Sequence, residues 1–126
     1  MSRYFLSIDG GGSKTIYAIC NHEGQVLAKL ERAGMTPSNM SESELIRELH
    51  GGVDQAAALA DIEPGALSAA GIGMPCFGES GQGDEMIGRA VAAVFGTVPV
   101  QLVNDAQVAW AGSFALQSGI NVVCGT

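Results

Sequence analysis

Three consecutive glycines, Gly10, Gly11 and Gly12, stand between two short apolar runs, and no other feature restricts the fold of this chain as strongly. The first run, Tyr4-Phe-Leu-Ser-Ile-Asp9, ends on an acid; the second, Thr15-Ile-Tyr-Ala-Ile-Cys20, begins after Ser13 and Lys14. Both are rich in β-branched and aromatic residues, so the pair reads as a hairpin around a glycine loop. Glycine tolerates left-handed backbone, which lets such a loop turn several amides toward one point and cradle a phosphate. A tight hairpin turn would account for the glycines alone. It leaves unexplained the strand-terminal Asp9 and the Ser13-Lys14-Thr15 set, which together point to a nucleotide phosphate, with Asp9 holding Mg2+ directly or through water.

Two familiar phosphate loops do not fit. A P-loop would need glycine at the positions of Ile8 and Ser13 before Lys14, and neither is glycine. A dinucleotide fingerprint would need glycine where Thr15 stands and then a helix, whereas Thr15 to Cys20 has the character of a strand.

The remaining pattern alternates strands and helices. Asn21 to Gly24 is a turn, and Gln25 to Glu31 alternates as a third, half-exposed strand. Ser41 and Glu44 have capping-box spacing and open a helix carrying Leu45, Ile46, Leu49, Val53, Ala56, Ala57 and Ala60 at helical intervals, with Gly51 and Gly52 in its middle. Leu67 to Met74 is a buried strand entering a Pro75-Cys-Phe-Gly78 turn. A second helix is predicted over Asp84 to Phe95, with Met86, Ile87, Ala90, Val91 and Val94 inward, and a strand over Val98 to Val103. Asn104 and Asp105 open a third helix reaching about Leu116, with Val108, Ala109 and Ala115 inward. The order βββ-α-β-α-β-α predicts an α/β domain whose mixed sheet is flanked by helices. The apolar run Ile120 to Cys124, leading into Gly125-Thr126, is expected to start another domain, giving units at 1–118 and 119–126.

Charge narrows the ligands. Thirteen acidic against six basic residues give a net charge of -7, which argues against a nucleic-acid footprint and against an anionic membrane surface. A bound phosphate must then be held by backbone amides and a metal ion. Cys20, Cys76 and Cys124 are widely spaced and form no C-x-x-C pair, so neither a disulfide framework nor a zinc site is indicated. Residues 1 to 8 lack the features of a signal peptide and no apolar run approaches the ~18 residues of a membrane helix, so a cytoplasmic protein is expected.

Several residues have a chemical and a plain reading. Asp105 is either a helix cap or a general base; the adjacent Asn104 caps equally well and leaves Asp105 free. Asn39 is either a residue that stabilises the turn after Pro37 or a ligand contact. Lys14 is either a solvated hairpin residue or a γ-phosphate contact. His22 and His50 have no metal-ligand spacing, and Trp110 sits at core or interface spacing on its helix.

At these residues the chain resembles the actin/hexokinase/heat-shock-ATPase superfamily, and within it the N-acetylglucosamine kinase and BadF/BadG-type ATPase family. Ile8-Asp9-Gly10-Gly11-Gly12-Ser13-Lys14-Thr15 is similar to that family's first phosphate motif, and Gly125-Thr126 to the start of its second. Ser38-Asn39 resembles the segment that contributes an Asn to the sugar, Ala70-Gly71-Ile72-Gly73 its strand-ending glycine turn, and Val103-Asn104-Asp105-Ala106 the junction that supplies the catalytic Asp. Met40 and Met74-Pro75 depart from the pattern. The resemblance implies a ribonuclease H-like, actin-like ATPase domain using ATP and Mg2+ to phosphorylate an amino sugar. It assigns Asp105 as base, Asp9 as metal ligand, and Asp9 through Thr15 with Gly125 and Thr126 as nucleotide-binding residues. Ser38, Asn39, Gly73, Asn104 and Asp105 would line the sugar. The partners implied are the small-molecule sugar and a C-terminal domain, with a homodimer compatible. A dehydratase-activating ATPase and a non-catalytic sugar or nucleotide sensor are the alternative functions. The former would need thiolates for an iron-sulfur cluster, which the strand and turn positions of the three cysteines do not favour; the latter would need no general base.

Overall fold

The computed structural model describes residues 2–115 and 117–119. Three antiparallel strands come first, β1 (Tyr4–Asp9), β2 (Lys14–Asn21) and β3 (Val26–Ala33), followed by a 3-10 turn at Pro37–Asn39 and helix α1 (Glu42–Leu59). A second 3-10 turn at Pro64–Ala66 enters β4 (Leu67–Met74); α2 (Gly81–Phe95), β5 (Val100–Asn104) and α3 (Asp105–Phe114) complete the described fold. The strands form one sheet in the order β3-β2-β1-β4-β5, with β4 parallel to β1 and β5 parallel to β4.

Alternation along the strands separates two faces. Leu6 and Ile8 of β1, Tyr17 and Ile19 of β2, and Ile72 and Met74 of β4 belong to one buried cluster with Leu45, Leu49 and Val53 of α1 and Ile87, Ala90 and Val91 of α2. Helices α1 and α2 pack on each other over this face, while α3 contacts β4, β5 and β1. Gly73 alternates with Ile72 and Met74, and a Cβ on it would lie 2.5 Å from Val108 Cγ2, so α3 rests on the opposite face.

The Gly51-Gly52 pair does not interrupt α1. The Tyr17 ring occupies the space where a Cβ on Gly52 would stand, and the Arg32 guanidinium lies 2.8 Å from the corresponding point at Gly51. Arg32 bonds Glu48 Oε1 and Gln55 Oε1, each at 2.8 Å, and so closes β3 onto the helix. Glycine here trades ~1 kcal/mol of helix propensity for close strand contact. Ser41 and Glu44 form the expected capping box.

Three expectations are corrected. Helix α2 starts at Gly81 rather than Asp84, because Ser80 caps it by accepting from the Gly83 amide at 3.1 Å. Strand β5 begins at Val100 rather than Val98; Pro99 precedes the ladder, and only its carbonyl bonds β4, through the Ala70 amide. Ala115 is exposed rather than inward, for it ends α3 in a left-handed conformation at φ 47°. The Ile120 to Cys124 strand, the Gly125-Thr126 motif and Leu116 lie outside the described residues.

Candidate functional site

Strands β1, β3, β4 and β5 all run the same way, so the four connections leaving them emerge at one edge of the sheet. These are the glycine loop, the Gly34–Asn39 segment, the Pro75–Gly78 turn and the Asn104-Asp105 junction. The crevice outside the carboxyl ends of strands is where open α/β sheets bind ligands.

The glycine loop is pinned from two sides. The Gly10 amide donates to the Gly73 carbonyl at 2.9 Å, and a Cβ on Gly10 would come within 2.7 Å of that oxygen and 2.9 Å of Pro75 Cδ. From the other side the Met35 amide donates to the Gly11 carbonyl at 2.9 Å, and Gly34 packs directly on the Gly12 carbonyl. The outer side is open, since a Cβ on Gly12 would meet nothing within 4 Å. Among the described residues the Gly11, Gly12 and Ser13 amides have no backbone acceptor. They border a cavity of about 260 Å3 lined by Asp9, the three glycines, Ser13, Lys14 and Ile16.

This donor set fits a phosphate with a cation beside it: unengaged amides, one ammonium and one carboxylate converge on a small open cavity. Among the described residues no group of three or more His, Cys, Asp or Glu could hold a metal ion. A cation at Asp9 would therefore share its coordination with phosphate oxygens and water, as Mg2+ does in phosphoryl-transfer sites. Thr15 does not join this cavity; its side chain is fully buried toward the core and Oγ1 has no hydrogen-bond partner among the described residues.

Asp105 is brought to the same edge by β5 and the start of α3. Asn104 caps that helix: its Oδ1 accepts from the Ala106 amide at 2.9 Å, and its amide N–H donates to Gln107 Oε1 at 3.2 Å. Its Nδ2 donates to the Phe77 carbonyl at 2.9 Å and ties α3 to the β4–α2 turn. The Asn104 side chain is thus engaged within the protein, while Asp105 has no capping duty. Gly73 lets α3 come close: a Cβ there would lie 3.3 Å from Asp105 Cα. Asp9 holds its proton above the usual carboxylate range, first because burial strips part of its water and second because the Asp105 charge is near.

Ser38 and Asn39 diverge. Ser38 borders a cavity of about 290 Å3 with Pro37, Cys76, Glu79, Ser80, Gly83 and Ile87, and Cys76 Sγ lies 3.9 Å from Ser38 Oγ. Asn39 borders a different cavity of about 480 Å3, beside Glu44, Arg47 and Glu48 of α1. Sequence reasoning missed Gly34, Met35 and Pro75, which fix the glycine loop, and Cys76, whose φ of 69° turns the chain beside Ser38. A glycine directly after β3 was the one available signal, and it has no pattern of its own.

No family model and no curated protein matches this chain. Solved structures do. A protein of Chromobacterium violaceum assigned as an N-acetylglucosamine kinase aligns with a TM-score of 0.66 and 21% identity, over 87% of this chain and 38% of its own. The corresponding Porphyromonas gingivalis protein gives 0.60 and 17%, over 82% and 34%. Glucokinase of Balamuthia mandrillaris, solved with glucose, gives 0.57 and 19%, over 91% and 33%. The chain has the actin-like ATPase fold. Its mixed sheet, with three antiparallel strands leading into two parallel crossovers, is the ribonuclease H-like architecture expected from the element order. The chain spans 33% to 38% of the length of these three structures.

Proposed function

We propose that this actin-like ATPase domain belongs to an ATP-dependent kinase that phosphorylates a hydroxyl of an amino sugar of the N-acetylglucosamine or glucosamine type. One observation carries the reading: the Gly10 amide is bonded to the Gly73 carbonyl at 2.9 Å and a Cβ on Gly73 would lie 3.3 Å from Asp105 Cα, so the glycine loop and the candidate base border one crevice.

In this reading the Gly11, Gly12 and Ser13 amides and the Lys14 ammonium hold phosphate oxygens of ATP. Mg2+, when bound beside Asp9, would spread the phosphate charge. Asp105 accepts the proton of the sugar hydroxyl while that oxygen bonds to the γ-phosphorus and the bond to the bridging oxygen of the ADP leaving group breaks in line. Asn104 fixes the first turn of α3, so Asp105 is aimed by backbone geometry. Ser38 approaches the sugar from the β3 side, and a second domain supplies the opposing wall that excludes water.

The test is the full-length protein with ATP, Mg2+ and a panel of glucose, glucosamine and N-acetylglucosamine, read by mass spectrometry. A hexosamine phosphate formed with stoichiometric ADP is the expected product. ATP hydrolysis with no sugar phosphate for any member of the panel would overturn the assignment.

A further inference from the structure

The connection after β3 does more than carry Ser38 and Asn39. Its first residue, Gly34, lies so close to the glycine loop that a Cβ there would overlap the Gly12 carbonyl and stand 2.8 Å from the Ser13 amide nitrogen. The next residue, Met35, has no exposed surface, and its amide donates to the Gly11 carbonyl at 2.9 Å. Two residues later the Pro37–Asn39 turn closes on itself, the Asn39 amide donating to Thr36 O at 2.9 Å and the Met40 amide to Pro37 O at 3.2 Å. A short, stiff segment thus has one end on the phosphate loop and the other on the Ser38 side of the crevice. Proline and a buried methionine between the two ends leave little slack, and close-packed interiors pass displacement on rather than absorb it.

We propose that Gly34 is a positioning residue through which the Pro37–Asn39 turn sets the glycine loop, so that sugar on the Ser38 side of the crevice tightens nucleotide binding. The inference rests on the kinase reading above and adds to it the route by which the two substrates sense each other within this domain. Gly34 touches neither substrate. It acts by bringing backbone to within contact of Gly12 and Ser13, whose amides face the open cavity. Coupling of this kind is reciprocal, so nucleotide must tighten sugar binding by the same factor. A side chain at Gly34 would overlap the backbone of Gly12 and Ser13, push the two segments apart and break the relay.

The experiment is calorimetry on the full-length protein. A non-hydrolysable ATP analogue with Mg2+ is titrated with and without saturating N-acetylglucosamine, in wild type, Gly34→Ala and Gly65→Ala. Gly65 serves as control because a Cβ there meets nothing within 4 Å. In wild type and Gly65→Ala, sugar should tighten the analogue by about fivefold or more. In Gly34→Ala that ratio should fall to about one, with sugar affinity in the absence of nucleotide within about twofold of wild type. Loss of folded fraction alone lowers both affinities and leaves the ratio intact, so the ratio separates positioning from damage. Should Gly34→Ala not fold, amide exchange on wild type replaces it: sugar without nucleotide is expected to protect the Gly10 to Ser13 amides. A wild-type ratio in Gly34→Ala, no coupling in wild type, or unchanged exchange at those amides overturns the relay. A wild-type protein that phosphorylates hexosamine yet shows any of these results retains the kinase reading; one that phosphorylates no sugar loses both.

Discussion

The Gly10 amide donates to the Gly73 carbonyl at 2.9 Å, and this bond joins the glycine loop to the strand end against which Asp105 is packed. Gly10 opens the loop after β1; Gly73 lies next to last in β4, with Val108 of α3 against its open α-carbon. Loop, strand end and candidate base are therefore linked by an unbroken run of contacts. Both positions must be glycine, because a Cβ at either one would enter a neighbour: the Gly73 carbonyl and Pro75 at Gly10, Val108 at Gly73.

Gly73→Ala should consequently displace α3 and Asp105 together. The new methyl would lie 2.5 Å from Val108 Cγ2 and 2.8 Å from Val108 Cβ, an overlap that costs about 1 to 3 kcal/mol of stability in a packed interior. Turnover of the full-length enzyme should fall about tenfold or more through misplacement of Asp105. Adding Val108→Ala removes the nearer contact, Cγ2, and keeps Cβ at 2.8 Å, so the double variant should regain part of both losses. Thermal melts and kcat of the two single variants and the double variant check this, and equal activity of Gly73→Ala and Gly73→Ala/Val108→Ala would sink it.

The Tyr17 hydroxyl is fully buried with no hydrogen-bond partner among the described residues, and burial pushes its proton affinity well above the ordinary range. An unpaired buried hydroxyl costs about 1 to 3 kcal/mol, so Tyr17→Phe should raise the unfolding free energy by about 1 kcal/mol rather than lower it. The ring itself must stay, since it fills the notch at Gly52. Urea denaturation of wild type and variant decides: a clear loss of stability would mean the hydroxyl has a partner.

The same pair explains what the sequence could and could not reveal. Strand and helix order was legible because the apolar spacing of Tyr4 to Asp9, Leu45 to Ala60 and Met86 to Val94 switches cleanly between periods. Asp9 and Asp105 stood out as candidates because each ends or follows an apolar strand. Gly52 stood in the middle of a predicted helix with no visible purpose, because that purpose lies in Tyr17, thirty-five positions earlier and on another element. Gly34 was silent for the same reason: what it accommodates is the backbone of Gly12. Thr15 looked like part of a phosphate motif, but β2 begins at Lys14, and strand alternation turns Thr15 into the core. Long-range contact assigns the roles of Gly52 and Gly34, and local pattern carries no record of it.

The Asp9 carboxyl should report on its neighbour. Two causes raise its pKa, burial first and the Asp105 charge second. Asp105→Asn removes only the second, so Asp9 should titrate at lower pH than in wild type yet remain above the usual aspartate range. A raised folded-state value means ionised Asp9 opposes folding. That cost is present at neutral pH, and is relieved as pH falls through the folded value toward the unfolded one. Asp105→Asn should accordingly flatten this part of the stability profile while lowering turnover by about 10²-fold or more through loss of the base. Carbon-detected NMR titration of Asp9, with kcat from the same samples, gives both readings; an unmoved Asp9 titration would place the two carboxylates in separate environments.

Ser38 and Asn39 are adjacent, but they border different cavities, and only one of those cavities reaches the β4–α2 turn that Asn104 ties to α3. Ser38 Oγ faces Cys76, one residue before Phe77, whose carbonyl accepts from Asn104 Nδ2 at 2.9 Å. Asn39 faces α1, beside Glu44 and Arg47, on the far side of the Pro37–Asn39 turn. A sugar hydroxyl in reach of Asp105 is therefore better served by Ser38, against the expectation from resemblance that Asn39 supplies the main polar contact. Losing one hydrogen bond to a bound hydroxyl costs about 0.5 to 1.5 kcal/mol, so Ser38→Ala should raise the sugar KM roughly two- to twelvefold with kcat and the ATP KM little changed. Asn39→Ala should raise it less. Steady-state kinetics of both variants with N-acetylglucosamine and glucosamine supply the comparison. A larger KM effect at Asn39 than at Ser38 would mean that the sugar enters along α1, and the crevice bounded by Cys76 and Asn104 would lose its claim to the substrate.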